Sequence, residues 1–358
     1  MALETRDPRL HDLVAPDAPI DRIAGGLTFT EGPIWRGGAL LFSDIPNKRI
    51  ARWRRLPEGP ELTTYATGMS NGLTVDRQGR VLAAEHDGRR VTRVGDDGAR
   101  AVLAERFQGK RLNSPNDIVV KSDGSIYFTD PPYAVRPLPP GTVRPAGWWT
   151  QPIEGKEQSI HGVYRITPDG TLHLLVDDFA LPNGLAFSPD ESVLYIDDSA
   201  HKHIRAFEVR PDGTLRGSRI LLDMASADPG VPDGLKVDVH GNVFCTGPGG
   251  VWVCRADGTC SGGSCCPSCR RTWPGARTGP CSSSRPGPAS TGCRRRREGR
   301  CWAVIRTPGA ATLEDRSCAA TSCPSLGEPS SWPFATMTLP LRITVVGQPS
   351  TCQPSQGL

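Results

Sequence analysis

Ahead of Cys254 the 358-residue chain contains one cysteine, Cys245, so that portion has no disulfide framework to hold it. Long apolar runs are also missing. The apolar stretch near Pro333–Val346 is too short to span a membrane and is interrupted by Pro340. Met1-Ala-Leu-Glu-Thr-Arg-Asp-Pro8 has no apolar signal core. These absences point to a cytoplasmic chain with no membrane partner. No segment repeats its apolar residues at helical spacing, which excludes a helix bundle.

From residue 255 onward lysine and histidine are absent as well, and the 13 cations there are all Arg, against 5 acids. Residues 1–254 carry 29 Lys and Arg against 33 Asp and Glu, so the overall +4 conceals a split of −4 and +8. Eleven of the twelve cysteines fall at or after Cys254, crowded among Arg, Pro, Ser, Gly and Ala. Cys266-Pro-Ser-Cys269 has no second pair to complete a zinc site. Arg294–Arg297 is a lone basic run in incoherent sequence, which does not make a nucleic-acid partner. An abrupt loss of Lys with a gain of Arg, Cys and Pro is the mark of a GC-rich gene read out of frame. The chain thus divides into a polar lead-in at 1–17, a folded body at 18–254 and an aberrant tail at 255–358, expected to be disordered.

What the body does contain is a repeat. Pro182-Asn183-Gly184 opens a short strand with Leu185 and Phe187 alternating, Ser188-Pro-Asp-Glu191 turns it, and Val193-Leu-Tyr-Ile196 returns. The same pattern recurs at Ser70-Asn71-Gly72-Leu73, at Pro115-Asn116-Asp117-Ile118 and at Pro232-Asp233-Gly234-Leu235. From Asn71 the steps to Asn116, Asn183 and Asp233 are 45, 67 and 50 residues. Units of roughly 40–50 residues with several strands each mark the blades of a β-propeller. The fold class is therefore all-β, with about five recognisable blades. Equivalent positions in successive blades meet around the central channel, so the repeat predicts a ring of Asn and Asp oxygens.

Around this repeat, Ile23–Phe29 reads as a strand, and Val251-Trp-Val253 begins a fifth blade that the sequence leaves unfinished. Residues 134–160 form a Pro- and Gly-rich insertion, with Trp148 and Trp149, placed to cap the channel. Gly68-Met-Ser-Asn-Gly72 fits a G-x-S-x-G nucleophile elbow, but the following Leu73-Thr-Val continues as a strand where that motif requires a helix. Asp197 and Asp198 read as strand-end caps. His86 reads as a loop or channel-edge residue, and His161, His201 and His203 have no spacing that marks a site.

Glu31-Gly-Pro-Ile-Trp35, Leu41-Phe-Ser-Asp-Ile-Pro46, Arg111-Leu-Asn-Ser-Pro-Asn-Asp117, Phe128-Thr-Asp-Pro-Pro132, Leu181-Pro-Asn-Gly184 and Pro232-Asp-Gly-Leu235 occur in that order. In this arrangement the chain resembles the gluconolactonase family, which also takes in senescence marker protein, regucalcin and luciferin-regenerating enzyme. The resemblance covers about residues 20–254. It implies a six-bladed propeller holding one divalent cation in its channel, calcium first, with zinc, magnesium or manganese as alternatives. It further implies that Glu31, Asn183 and Asp233 are the metal ligands, that Asn116 contacts substrate or a water on the metal, and that Arg111 and Asn113 face the substrate. The family continues past Val253 with the rest of the fifth blade and a sixth, completed by the N-terminal strand. The tail shows no such pattern, so the sequence predicts an open ring and an impaired enzyme.

Carboxylates and amide oxygens suit a hard cation. Such an ion polarises a lactone carbonyl and leaves positions open for water and substrate. Asp233, the one acid in the repeated slot, is then the expected general base, with Glu31 as the alternative. The reading is a hydrolase of sugar lactones acting on a small-molecule substrate. Hydrolysis of other esters or organophosphates on the same metal, and a non-catalytic propeller that binds calcium or a ligand, are the alternatives.

Overall fold

The computed structural model describes residues 8–13, 20–135, 147–263, 302–306 and 342–346. Five four-stranded antiparallel sheets follow one another along the described chain as propeller blades. Their innermost strands are Thr30–Arg36, Ser70–Val75, Ile118–Val120, Pro182–Phe187 and Leu235–Val237. Each sheet steps outward through its next three strands in sequence order, ending at Gly59–Thr67, Arg100–Ala104, Leu172–Val176, Leu215–Asp223 and Cys260–Gly263. Helix is confined, among the described residues, to the single 3-10 turns Pro8–Asp12 and Trp148–Thr150. No helix there is long and apolar enough to cross a membrane.

The hairpins turn on short aspartate side chains that stand in for a backbone partner. Asp97, Asp123, Asp169, Asp212 and Asp257 each accept, through Oδ1, the N–H of the residue two places on. In the turn after Asp123, Gly124 takes φ 88°, the left-handed conformation that closes it.

Strand alternation sends neighbouring side chains to opposite faces, and the faces bury against the next blade. In the first blade, Leu41 joins Leu73, Val81 and Ala83 of the second, while Leu40 and Phe42 face the other way onto Leu27 and Trp53. Leu82, Val91, Phe128 and Tyr164 fill the second interface, and Tyr127, Leu185, Ile196 and Phe207 the third. Tyr195, Leu222, Leu235 and Trp252 fill the fourth. The core is thus a series of seams between blades.

Two expectations are corrected. The strand expected at Ile23–Phe29 is irregular chain interrupted by Gly25 and Gly26, the latter at φ 73°. Its apolar residues still cover the outer face of the first blade, with Leu27 buried and Ile23 and Ala24 packed beside it. The fifth blade is complete: Arg255–Thr259 makes the same aspartate turn, and Cys260–Gly263 pairs with Gly250–Cys254 as its fourth strand. Strands also occur within the tail. Trp302–Arg306 and Arg342–Val346 pair with each other, and the latter pairs in parallel with Ile20–Arg22. The runs Trp-Ala-Val-Ile and Ile-Thr-Val-Val carry the β-branched residues that favour strands. Residues 1–7, Cys266–Cys269, Arg294–Arg297 and 136–146 of the insertion, with the expectations placed on them, lie outside the described residues.

Candidate active site

At the mouth of the innermost strands the backbone departs from regular pairing in a repeated way. The ladder register shifts between Glu31 and Ile34, between Ser70 and Leu73, and between Pro182 and Leu185. Such bulges re-aim a side chain out of the alternating pattern. Glu31, Asn71 and Asn183 each sit at one of them, with glycine next in sequence.

The glycines are required because another blade lies against them. The N–H of Gly72 donates to the Asn116 carbonyl at 2.7 Å, and that of Gly184 to the Asp233 carbonyl at 2.8 Å. Thr129 Oγ1 donates to the Asn183 carbonyl at 2.8 Å. A Cβ on Gly184 would come within 2.3 Å of the Asp233 oxygen, and one on Gly32 within 2.4 Å of that of Asn71. The ring residues are therefore tied blade to blade through their own backbones.

Glu31, Asn71, Asn116, Asp117 and Asn183 line one cavity of about 280 Å³, whose apolar wall is drawn from Trp35, Val237, Phe244 and Val251 of the first and fifth blades. Asp233 adjoins it through Gly234, which lines it, and its Oδ1 accepts the Asn183 amide at 2.8 Å. Asn183 also donates to Ser199 Oγ at 3.0 Å, and that hydroxyl donates to the Pro232 carbonyl. All four expected residues, Glu31, Asn116, Asn183 and Asp233, are buried.

Acid charge accumulates behind them. Asp197 is fully buried, and its Oδ1 has no hydrogen-bond partner. Burial first, then the charges of Asp233, Asp117 and Asp198, push its carboxyl well above the ordinary carboxylate range. Lys236 Nζ, at 3.9 Å from Asp117, is an exposed cation beside the group. Buried carboxylates with amide oxygens and no imidazole form a donor set that fits a hard divalent cation.

Arg111 and Asn113 are not among the residues lining this cavity. Arg111 donates its backbone N–H to Glu157 and its guanidinium to the Gly88 carbonyl. Asn113 is buried and donates to the carbonyls of Asp130 and Ile160, leaving its Oδ1 without a partner. Asp130 beside it accepts the N–H groups of Asn113 and Ser114, yet burial raises its pKa to about 7.

Ser70 lies within a strand, its Oγ 2.7 Å from that of Ser43, with no helix following. His86 pairs with Asp87 and stacks on Tyr133, which in turn packs against the buried Trp148. Trp148 thus serves to bury its loop. Asp198 caps as expected, accepting the N–H groups of Ala180, Leu181, Ala200 and His201. Asp197 does not cap; it enters the acidic group instead. The sequence signal that would have found Asp197 is its adjacency to the capping Asp198, since alternation turns one of two strand neighbours inward.

A family model described as the SMP-30/gluconolactonase/LRE-like region matches residues 29–272. A gluconolactonase from Zymomonas mobilis is 34% identical over 284 residues, 71% of this chain and 74% of that protein. Regucalcin from Bos taurus is 27% identical, over 63% of this chain and 71% of its own length. Among solved structures, a gluconolactonase from Xanthomonas campestris aligns with a TM-score of 0.62 and 37% identity, over 72% of this chain and 82% of that one. Sequence and fold agree, and the chain belongs to the SMP-30/gluconolactonase/LRE-like family.

Proposed function

We propose that this chain is a divalent-metal-dependent lactonase that opens sugar lactones to hydroxy acids. The observation that carries the reading is the convergence of Glu31, Asn116 and Asn183 on one buried cavity, with Asp233 hydrogen-bonded to Asn183 at its edge. Proteins similar to it include gluconolactonases identical at about a third of the aligned positions.

Glu31, Asn183 and Asp233 would hold the cation, calcium first among the candidates, and when bound it supplies Lewis-acid polarisation of the lactone carbonyl. Asn116, facing the same cavity, offers an amide to orient the ring oxygen or a hydroxyl of the substrate. The apolar wall of Trp35, Phe244 and Val251 excludes water from the ring face. Asp233 accepts the proton of the attacking water as the new carbon–oxygen bond forms. The ring carbon–oxygen bond then breaks, and the departing alkoxide recovers that proton, leaving the open hydroxy acid. Asn183, by donating to Asp233 Oδ1, keeps that carboxylate aimed in one direction.

The test is hydrolysis of an aldonolactone by the purified full chain, followed through acid release, before and after chelation. Turnover lost with the chelator and restored by calcium, magnesium, manganese or zinc supports the reading. Cation binding without turnover of lactones, esters or phosphotriesters points instead to a binding propeller.

A further inference from the structure

We propose that Asp198, His201 and His203 form a second metal site, for a divalent transition ion such as zinc or copper, at the mouth of the fourth blade. It goes beyond the lactonase reading and does not depend on it. One potential ligand atom from each of the three residues lies within 4.8 Å of the others. They sit on one reverse turn, Asp198-Ser-Ala-His-Lys-His203, between the strands Val193–Asp198 and His203–Val209. The turn is closed by Lys202 N–H donating to the Asp198 carbonyl at 2.8 Å, with Lys202 itself at φ 55°.

The arrangement is more constrained than a surface turn requires. Asp198 is almost completely buried, and four backbone N–H groups fix its carboxylate in place. Its Oδ2 lies 2.9 Å from His201 Nδ1, which sets the imidazole's direction. The His201 and His203 rings stack, with centroids 5.5 Å apart and planes inclined by 23°. His203 keeps Nε2 buried without a hydrogen-bond partner, an uncommon state for a buried polar atom. Asp223 stands directly opposite His203 in the ladder of the adjacent strand, so a second carboxylate shares its face.

The chemistry of this donor set differs from that of the channel. Two imidazoles with carboxylate select zinc, copper or nickel, whereas all-oxygen groups select calcium or magnesium. A purely capping role accounts for Asp198 alone. It explains neither the paired imidazoles nor the orphaned ring nitrogen.

The test uses the full chain, stripped with chelator and supplied with excess calcium, then titrated with copper(II) and observed by pulsed electron paramagnetic resonance. One tightly held copper with the modulation of two coordinated imidazoles is expected. The His201→Gln/His203→Gln pair should lose that signature and roughly 100-fold in copper affinity. His203→Gln alone should reduce the pattern to one imidazole. The Asp233→Asn variant should leave the copper signal intact, which separates this site from the channel. Absence of nitrogen ligation, or its survival in the double variant, overturns the proposal. Loss of the signal in Asp233→Asn would assign the copper to the channel and overturns it equally.

Discussion

The side-chain amide of Asn183 donates to Asp233 Oδ1 at 2.8 Å, and the N–H of the next residue, Gly184, donates to the Asp233 carbonyl at the same distance. Two residues 50 positions apart are thereby held as one unit. Replacing either should disable the proposed site. Asp233→Asn and Asn183→Ala are each expected to lower kcat/KM for lactone by at least ~100-fold, with loss of the bound cation measured by elemental analysis. Full metal-dependent activity in both variants would show the assignment to be wrong.

Gly184→Ala places a methyl group against the backbone of the neighbouring blade, which has no flexible end to yield. The expected destabilisation is roughly 1–3 kcal/mol, read as a shift in urea midpoint. A variant as stable as the parent would mean the blades are less closely joined than described.

Ser70→Ala removes a hydroxyl that bonds Ser43 Oγ, while Ser43 keeps its bond to the Asn71 carbonyl. Stability should drop by about 1 kcal/mol and lactone turnover should persist. A folded, metal-binding but inactive variant would establish a serine nucleophile.

His161 is held at a pKa of about 4 against an ordinary 6.5, chiefly by burial and then by the Lys156 charge. Between those values the unfolded chain binds a proton that the folded chain does not. Stability therefore falls as pH drops from 6.5 toward about 4, by up to ~3 kcal/mol from this group. His161→Gln should flatten that part of the profile. An unchanged acid slope in urea titrations at several pH values would rule the group out.

The break in composition makes a prediction at the level of the gene. Read in another frame downstream of the fifth blade, beyond about codon 263, the coding DNA should restore hairpins with aspartate-glycine turns. If neither alternative frame does so, the tail has another origin.

The propeller was legible because its turn chemistry is written in the chain. Pro-Asn-Gly and its variants recur at four of the five innermost strands, and aspartate-glycine pairs mark the hairpins. Period-two alternation says that two neighbours face opposite ways, but not which face looks onto the channel. Alternation therefore does not tell that Asp198 caps while Asp197 joins the acidic group, and Asp117 stands in irregular chain where no alternation applies. The i, i+2 spacing of His201 and His203 does not by itself mark a site. His201 lies on the turn just ahead of the strand His203–Val209, and the two rings stack. The last strand of the fifth blade, Cys260–Gly263, falls within the compositional break and is half glycine, so it carries little strand signal.

The bonds running sideways from Gly72 to Asn116 and from Gly184 to Asp233 bear on how such a chain can vary. Each ring residue takes its position from the neighbouring blade, not from the length of chain leading to it. The interval between Asn116 and Asn183 exceeds that between Asn71 and Asn116 by a long insertion, yet both asparagines face the same cavity. Loops can lengthen or shorten, and acquire new lids and new specificities, while the joints hold the chemistry still.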